Sequence, residues 1–181
     1  MRNSVDTANV VVKHIATILG LLAILVASGL ALADKACQFH GSWFGHLDAP
    51  LDIDWLSTAH SINNQQGTYA IDFPGLDPTL FGLFPNGARF STFRGTWERR
   101  DNHSVAITVI GYSLDSQGKT AGILKISAVN TFSEDCNTMS ITNTNEVYLP
   151  GQNPFEDVPF YWGPGAPHSG YRMRVDPQYN P

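Results

Sequence analysis

The chain has 181 residues, 43% of them hydrophobic, which fits a globular domain rather than a disordered chain. It carries 11 Lys and Arg against 16 Asp and Glu, a net charge of −5, with no basic cluster. Nucleic acid and anionic membrane surfaces are therefore poor partners, since both need Lys and Arg to neutralise phosphates.

Arg2 and Lys13 precede an uncharged apolar run from Ile15 to Leu30, and Ala31-Leu32-Ala33 supplies small side chains at the spacing a signal peptidase accepts. Residues 1–33 read as a signal peptide cleaved before Asp34. An uncleaved membrane anchor is the other reading, but the run is shorter than the ~20 residues a spanning helix needs. Cleavage leaves one domain, 34–181, secreted or periplasmic. Its charge is −6, because Arg2, Lys13 and Asp6 leave with the leader.

The only cysteines, Cys37 and Cys136, both lie in the exported part, where disulfides form and persist. A bridge is expected, with two unpaired thiols as the other reading. In the chain-entropy model, closing so long a loop contributes about 4–5 kcal/mol. No Cys-x-x-Cys or close Cys/His spacing points to zinc.

"QFHGSWFGH" follows. As a strand it places His40 and His46 on one face, ~20 Å apart at ~3.3 Å per residue. One zinc holds its ligands at ~2.1 Å, so the two histidines cannot share a metal. Trp43 has the opposite parity and points inward. In "DAPLDID", Asp48, Asp52 and Asp54 lack the EF-hand spacing and its glycine, which favours a solvated acidic loop over calcium.

Strand-like runs separated by turn signals dominate the rest. "IDWLSTAH" is a weak candidate and "GTYAIDF" a stronger one. Then come "ARFSTFRGTWERR", "HSVAITVIGYSL", "TAGILKISAVNTF" and "TMSITNTNEVYL", joined by short polar loops, the pattern of consecutive antiparallel hairpins. "PGLDPTLFGLFPNG" is too rich in Pro and Gly for a regular element. It reads either as a loop over one end or as a plain connector.

Residues 150–169 form a Pro/Gly-rich loop carrying Phe155, Phe160, Tyr161 and Trp162, aromatics expected to pack back on the body or cover an opening. "GYRMRV" ends the series. The fold expected is all-β, an antiparallel up-and-down barrel of about eight strands, wide enough inside for one small ligand.

Three asparagines break the apolar parity of two strands: Asn130 beside Leu124, Ile126, Ala128 and Phe132, and Asn143 and Asn145 beside Met139, Ile141 and Val147. Either they line the barrel interior and need partners, since a buried unpaired polar group costs about 1–3 kcal/mol, or they are hydrated at the rim. An apolar cavity with a few placed polar groups is the usual make-up of a small-molecule site. Tyr112 and Trp97 are expected to add a hydroxyl and an apolar wall. Arg94, Glu98 and Glu146 take polar faces, which argues against a buried carboxylate acid or base. Nothing resembles a nucleophile elbow, a phosphate loop or a dinucleotide fingerprint, so no cofactor is expected.

Gly95, Trp97, Glu98 and Arg99, the Asp115–Gly118 turn and the acidic Ser133–Asp135 turn together resemble a group of exported bacterial proteins with a lipocalin-like, calycin-type β-barrel, over roughly 68–148. Gly41-Ser42-Trp43 also looks like the Gly-x-Trp of the first lipocalin strand. That resemblance implies a tryptophan closing the barrel floor under a stacked arginine, here Arg174 or Arg172. A similar barrel serves cyclases of the allene oxide cyclase type.

The function expected is binding of a small, mostly apolar molecule in the barrel. The ligand would pass either the Phe81–Phe84 loop or the Phe155–Trp162 loop. One alternative is a cyclase or isomerase that works by holding its substrate in a reactive conformer. The other is an envelope interaction protein with a filled core and an exposed 155–162 surface.

Overall fold

Strands with one apolar and one polar face are stable only when paired over a shared core. The computed structural model describes residues 36–48 and 51–174, and there the chain meets this need by closing a sheet on itself. The strands are β1 (Gly41–Leu47), β2 (Ile53–Ser61), β3 (Gln66–Asp72), β4 (Arg89–Phe90), β5 (Phe93–Arg99), β6 (Ser104–Leu114), β7 (Thr120–Phe132), β8 (Thr138–Tyr148), β9 (Tyr161–Pro164) and β10 (His168–Arg172). Eight of them pair in the order β1-β2-β3-β5-β6-β7-β8-β10, and β10 returns to β1. The result is a closed, eight-stranded antiparallel barrel with up-and-down neighbours. Among the described residues there is no α-helix.

Each strand-like run contains a strand, including the weak candidate, which becomes the nine-residue β2; "ARFSTFRGTWERR" breaks at Ser91-Thr92, and the last strand begins earlier, at His168, and ends at Arg172. The first part of the broken run is β4, which pairs β6, and the stretch expected to be loop contains one further short strand, β9, which pairs the far end of β8. The expected signal peptide, 1–33, lies outside the described residues. No described helix is long and apolar enough to cross a membrane.

The hairpin loops follow from their residues. In "DSQGK", Asp115 Oδ1 accepts from the amides of Gln117 and Lys119 at 2.9 and 2.8 Å, and Gly118 takes the positive φ (80°) that the turn requires. In the β7–β8 turn, the Ser133 hydroxyl and then the Asn137 amide hold the Asp135 carboxyl at a pKa of about 2.

One end of the barrel is filled. Residues 36–40 cross beneath it and insert Phe39, whose ring lies 5.3 Å from Trp97, 5.4 Å from Tyr69 and 5.8 Å from Phe132. Trp43 is fully buried beside it and donates its indole N–H to the Phe39 carbonyl at 3.1 Å. The Cys37–Cys136 disulfide is present and pins this segment to the β7–β8 turn.

An arginine does stack on Trp43, but it is Arg172, at 4.3 Å, and not Arg174. Arg172 sits directly opposite Trp43 in the β10–β1 ladder, on the inward face. Arg174, two residues on, lies past the end of β10, where it donates to Asn137 Oδ1.

Candidate ligand-binding site

The other end is hollow. A cavity of about 370 Å³ lies there, near the low end of the ~300–1,000 Å³ range of small-molecule pockets. Its walls come from inward positions of β3, β6, β7 and β8, including Ile71, Ile107, Val109, Leu124, Ile126, Ala128, Ile141 and Val147. Loops complete it: Leu51 before β2, Leu76, Leu83 and Phe84 from the β3–β4 connection, and Tyr161 and Pro164–Ala166 around β9.

The register explains why this end is open. β10 pairs β8 from Thr138 to Ile141, and β9 pairs it from Thr144 to Val147, shifted by one residue. An extra residue within 165–167 therefore interrupts what is otherwise one strand. Only β10 continues the ladder to β1, which stops at the His46–Ser169 pair. Beyond it, no described pairing joins β9 to β1, and the residues flanking that seam, Leu47, Leu51 and Gly165, line the cavity.

All three asparagines line this cavity. Asn130 is 1% exposed, and its amide N–H group donates to Met139 Sδ at 3.2 Å. Asn143 donates to Asn145 Oδ1 at 2.9 Å. Among the described residues nothing donates to Asn130 Oδ1 or Asn143 Oδ1, both of which are buried. Gly165 seats Asn143: its amide donates to the Asn143 carbonyl at 2.9 Å, and a Cβ there would lie 2.0 Å from Asn143 Nδ2.

Two expected site residues lie elsewhere. Tyr112 is on the outer face and 46% exposed, because Val109, Gly111 and Ser113 hold the inward parity of β6. Trp97 is inside but belongs to the filled end, where its indole donates to the His60 carbonyl at 3.1 Å. The aromatics of the 150–169 loop do not pack back as a group. Phe155 is 71% exposed, Phe160 and Trp162 are also exposed, and only Tyr161 turns toward the cavity. The loop is strapped to the outer wall through Lys125, whose ammonium donates to the Pro154 carbonyl at 3.1 Å and pairs Glu146 at 2.9 Å.

The acidic "DAPLDID" stretch is balanced from β1. His46 meets Asp54 at 2.9 Å and Asp52 at 3.2 Å on the barrel exterior. His46 thereby answers two of the three carboxylates considered for calcium.

His168 is the cavity residue not anticipated. Its Nδ1–H donates to the Ala166 carbonyl at 3.0 Å, which leaves Nε2 as an acceptor. Its ring meets Trp55 edge-on at 5.8 Å. Burial lowers its pKa from 6.5, the Ala166 hydrogen bond opposing in part. The unfolded chain thus binds this proton at a higher pH than the folded one. Its contribution to stability is full above pH 6.5 and falls as pH drops from there toward the folded value. His168→Gln is expected to lose less stability than the parent between about pH 7 and about pH 5 in denaturant melts. Equal losses would show that His168 titrates alike in both states.

In the comparisons with known proteins, the chain matches no family model, no curated protein and no solved structure.

Proposed function

We propose that this chain is an exported carrier that binds one small, mostly apolar molecule in the hollow end of its barrel. The observation behind this reading is the division of the interior: aromatic rings close one end, while the other keeps an apolar cavity with a few asparagines on its wall. Export is supported by the leader-like 1–33 sequence, and the disulfide is compatible with an extracellular or periplasmic site.

A second reading, an interaction protein of the cell envelope, draws on the exposed Phe155, Val158, Phe160 and Trp162. Where exposed apolar side chains form a contiguous patch, they are a common mark of a partner site. The hollow end is not what that reading predicts, since it needs a filled core.

The test is native mass spectrometry of protein from the exported fraction, beside an Ala128→Phe variant. Ala128 faces the cavity between Ile107 and Asn143, so a phenyl group there occupies the ligand volume. The expected result is an excess mass on the parent that denaturing extraction removes and that the variant lacks, with the variant's melting temperature undiminished. A bare parent that also takes up no added apolar compound would move the interaction reading to the front.

A further inference from the structure

The cavity wall carries a chemical specification for the ligand, and the inference drawn from it rests on the carrier reading above. Among the described lining residues there is no Asp, Glu, Lys or Arg. Burial favours the neutral form of two lining groups, raising the Tyr69 phenol and lowering the His168 imidazole. A charged head group would lose its hydration here and find no counter-charge.

The asparagines among the lining residues leave acceptors unmet. Asn130 Oδ1 and Asn143 Oδ1 are buried acceptors to which no described residue donates, and His168 Nε2 is a third acceptor once Nδ1–H is given to Ala166. Asn130 gives one amide N–H to Met139, and Asn143 gives one to Asn145. Donors on this wall include the Asn145 amide, the second amide N–H of Asn130 and of Asn143, and the Tyr69 and Tyr161 hydroxyls.

The acceptors converge. Asn130 pairs Ile141, which pairs His168 on its other side, so these three residues lie in one row across β7, β8 and β10. Asn143 is the next inward residue on β8, diagonal to Asn130 and within ~7–8 Å of it. A single head group can reach both amides. A buried acceptor left unmet is costly, so a ligand that supplies the donor gains over one that cannot.

The geometry points to a neutral apolar ligand whose polar end donates hydrogen bonds, an alcohol or a primary amide rather than an ester, an ether or a carboxylate. A hydroxyl gives its proton to Asn130 or Asn143 and accepts from Asn145. An ether can only accept, and a carboxylate brings an uncompensated charge.

Three probes with one alkyl chain separate these cases: decanol, decyl methyl ether and decanoate. Their binding to the mature chain is measured by isothermal titration at about pH 8, where decanoate is ionised. Decanol is expected to bind about tenfold more tightly than the ether, and decanoate more weakly than either. In Asn130→Leu/Asn143→Leu the decanol advantage should vanish while the ether binds at least as well. If that variant does not fold, the decanol-to-ether ratio of the parent decides alone. Equal binding of alcohol and ether, or tightest binding of decanoate, overturns this inference and leaves the carrier reading standing. Binding of none of the three overturns the carrier reading and this inference with it.

Discussion

Replacing Cys136 by Ser is expected to cost about 3–5 kcal/mol of stability and to lower the melting temperature by roughly 10 °C. The bridge spans 99 positions, so in the chain-entropy picture it removes an unusually large share of the unfolded chain's freedom. It also has a local task. Residues 36–40 belong to no strand, and one backbone bond, Cys37 N–H to the Asn102 carbonyl at 2.8 Å, ties them to the β5–β6 turn. Apart from that bond they are held by side chains: the disulfide, the Trp43 indole on the Phe39 carbonyl, Arg99 on the Cys37 carbonyl at 2.7 Å, and Arg172 on the carbonyls of Gln38 and His40. If the segment lifts away, Phe39 leaves the pocket formed by Trp43, Tyr69, Trp97 and Phe132, and the closed end opens to water. Chemical denaturation of oxidised parent and variant measures the difference. A loss below about 1 kcal/mol would show that the remaining contacts hold the segment without the bridge.

The same elements explain what could be read from the sequence. The hairpin series from β5 to β8 is legible because each run alternates and each loop has its turn chemistry; parity puts Asn130, Asn143 and Asn145 on the apolar faces but leaves open whether they line the interior or sit hydrated at the rim. Parity failed where the frame had no fixed origin. Tyr112 has a polar tip and an apolar ring, and only the inward Val109 and the bulge at Ser113/Leu114 reveal that it faces out. Trp97 has the right parity, but parity does not say at which height along a strand the interior is filled. That depends on Phe39 inserting from a segment with no regular structure.

His168 was hidden for a similar reason. It sits at the end of a Pro-rich stretch read as loop, and the one-residue shift between β9 and β10 reverses the inward parity from odd to even. The alternation of "HSGYR" was a usable signal: His168 and Gly170 share the parity of Arg172. Gly170 is needed there, since a Cβ would come within 2.6 Å of the Trp55 ring. Glu146 was read correctly as outward, yet it is not freely solvated. Burial opposes its charge, but the Lys125 ammonium and the Tyr148 hydroxyl bring its carboxyl below the usual range.

Arg172 and Arg174 have the same parity and nearly the same context, so they make a matched pair for the second large effect. Arg172→Ala is expected to cost about 2–3 kcal/mol, and Arg174→Ala less than about 0.5 kcal/mol. Arg172 donates Nε to the Cys136 carbonyl at 3.3 Å and Nη1 to the His40 carbonyl at 3.0 Å, and its second Nη reaches the Gln38 carbonyl. Its guanidinium also covers the face of Trp43, a contact of ~0.5–2 kcal/mol. Some of those carbonyls can be rehydrated once the side chain is gone, which is why the expected cost is less than the sum of its contacts. Arg174 has one hydrogen-bond partner, Asn137, and a longer-range attraction to the exposed Asp135 carboxylate, both of which water can replace. Lysine at 172 should recover only part of the loss, because an ammonium cannot lie flat on the indole while reaching three carbonyls in different directions. Denaturant melts of the four proteins, with Trp fluorescence reporting on the closed end, decide the matter. Equally small losses for the two alanine variants would mean that neither the stacking on Trp43 nor the three carbonyl contacts of Arg172 stabilise the barrel floor.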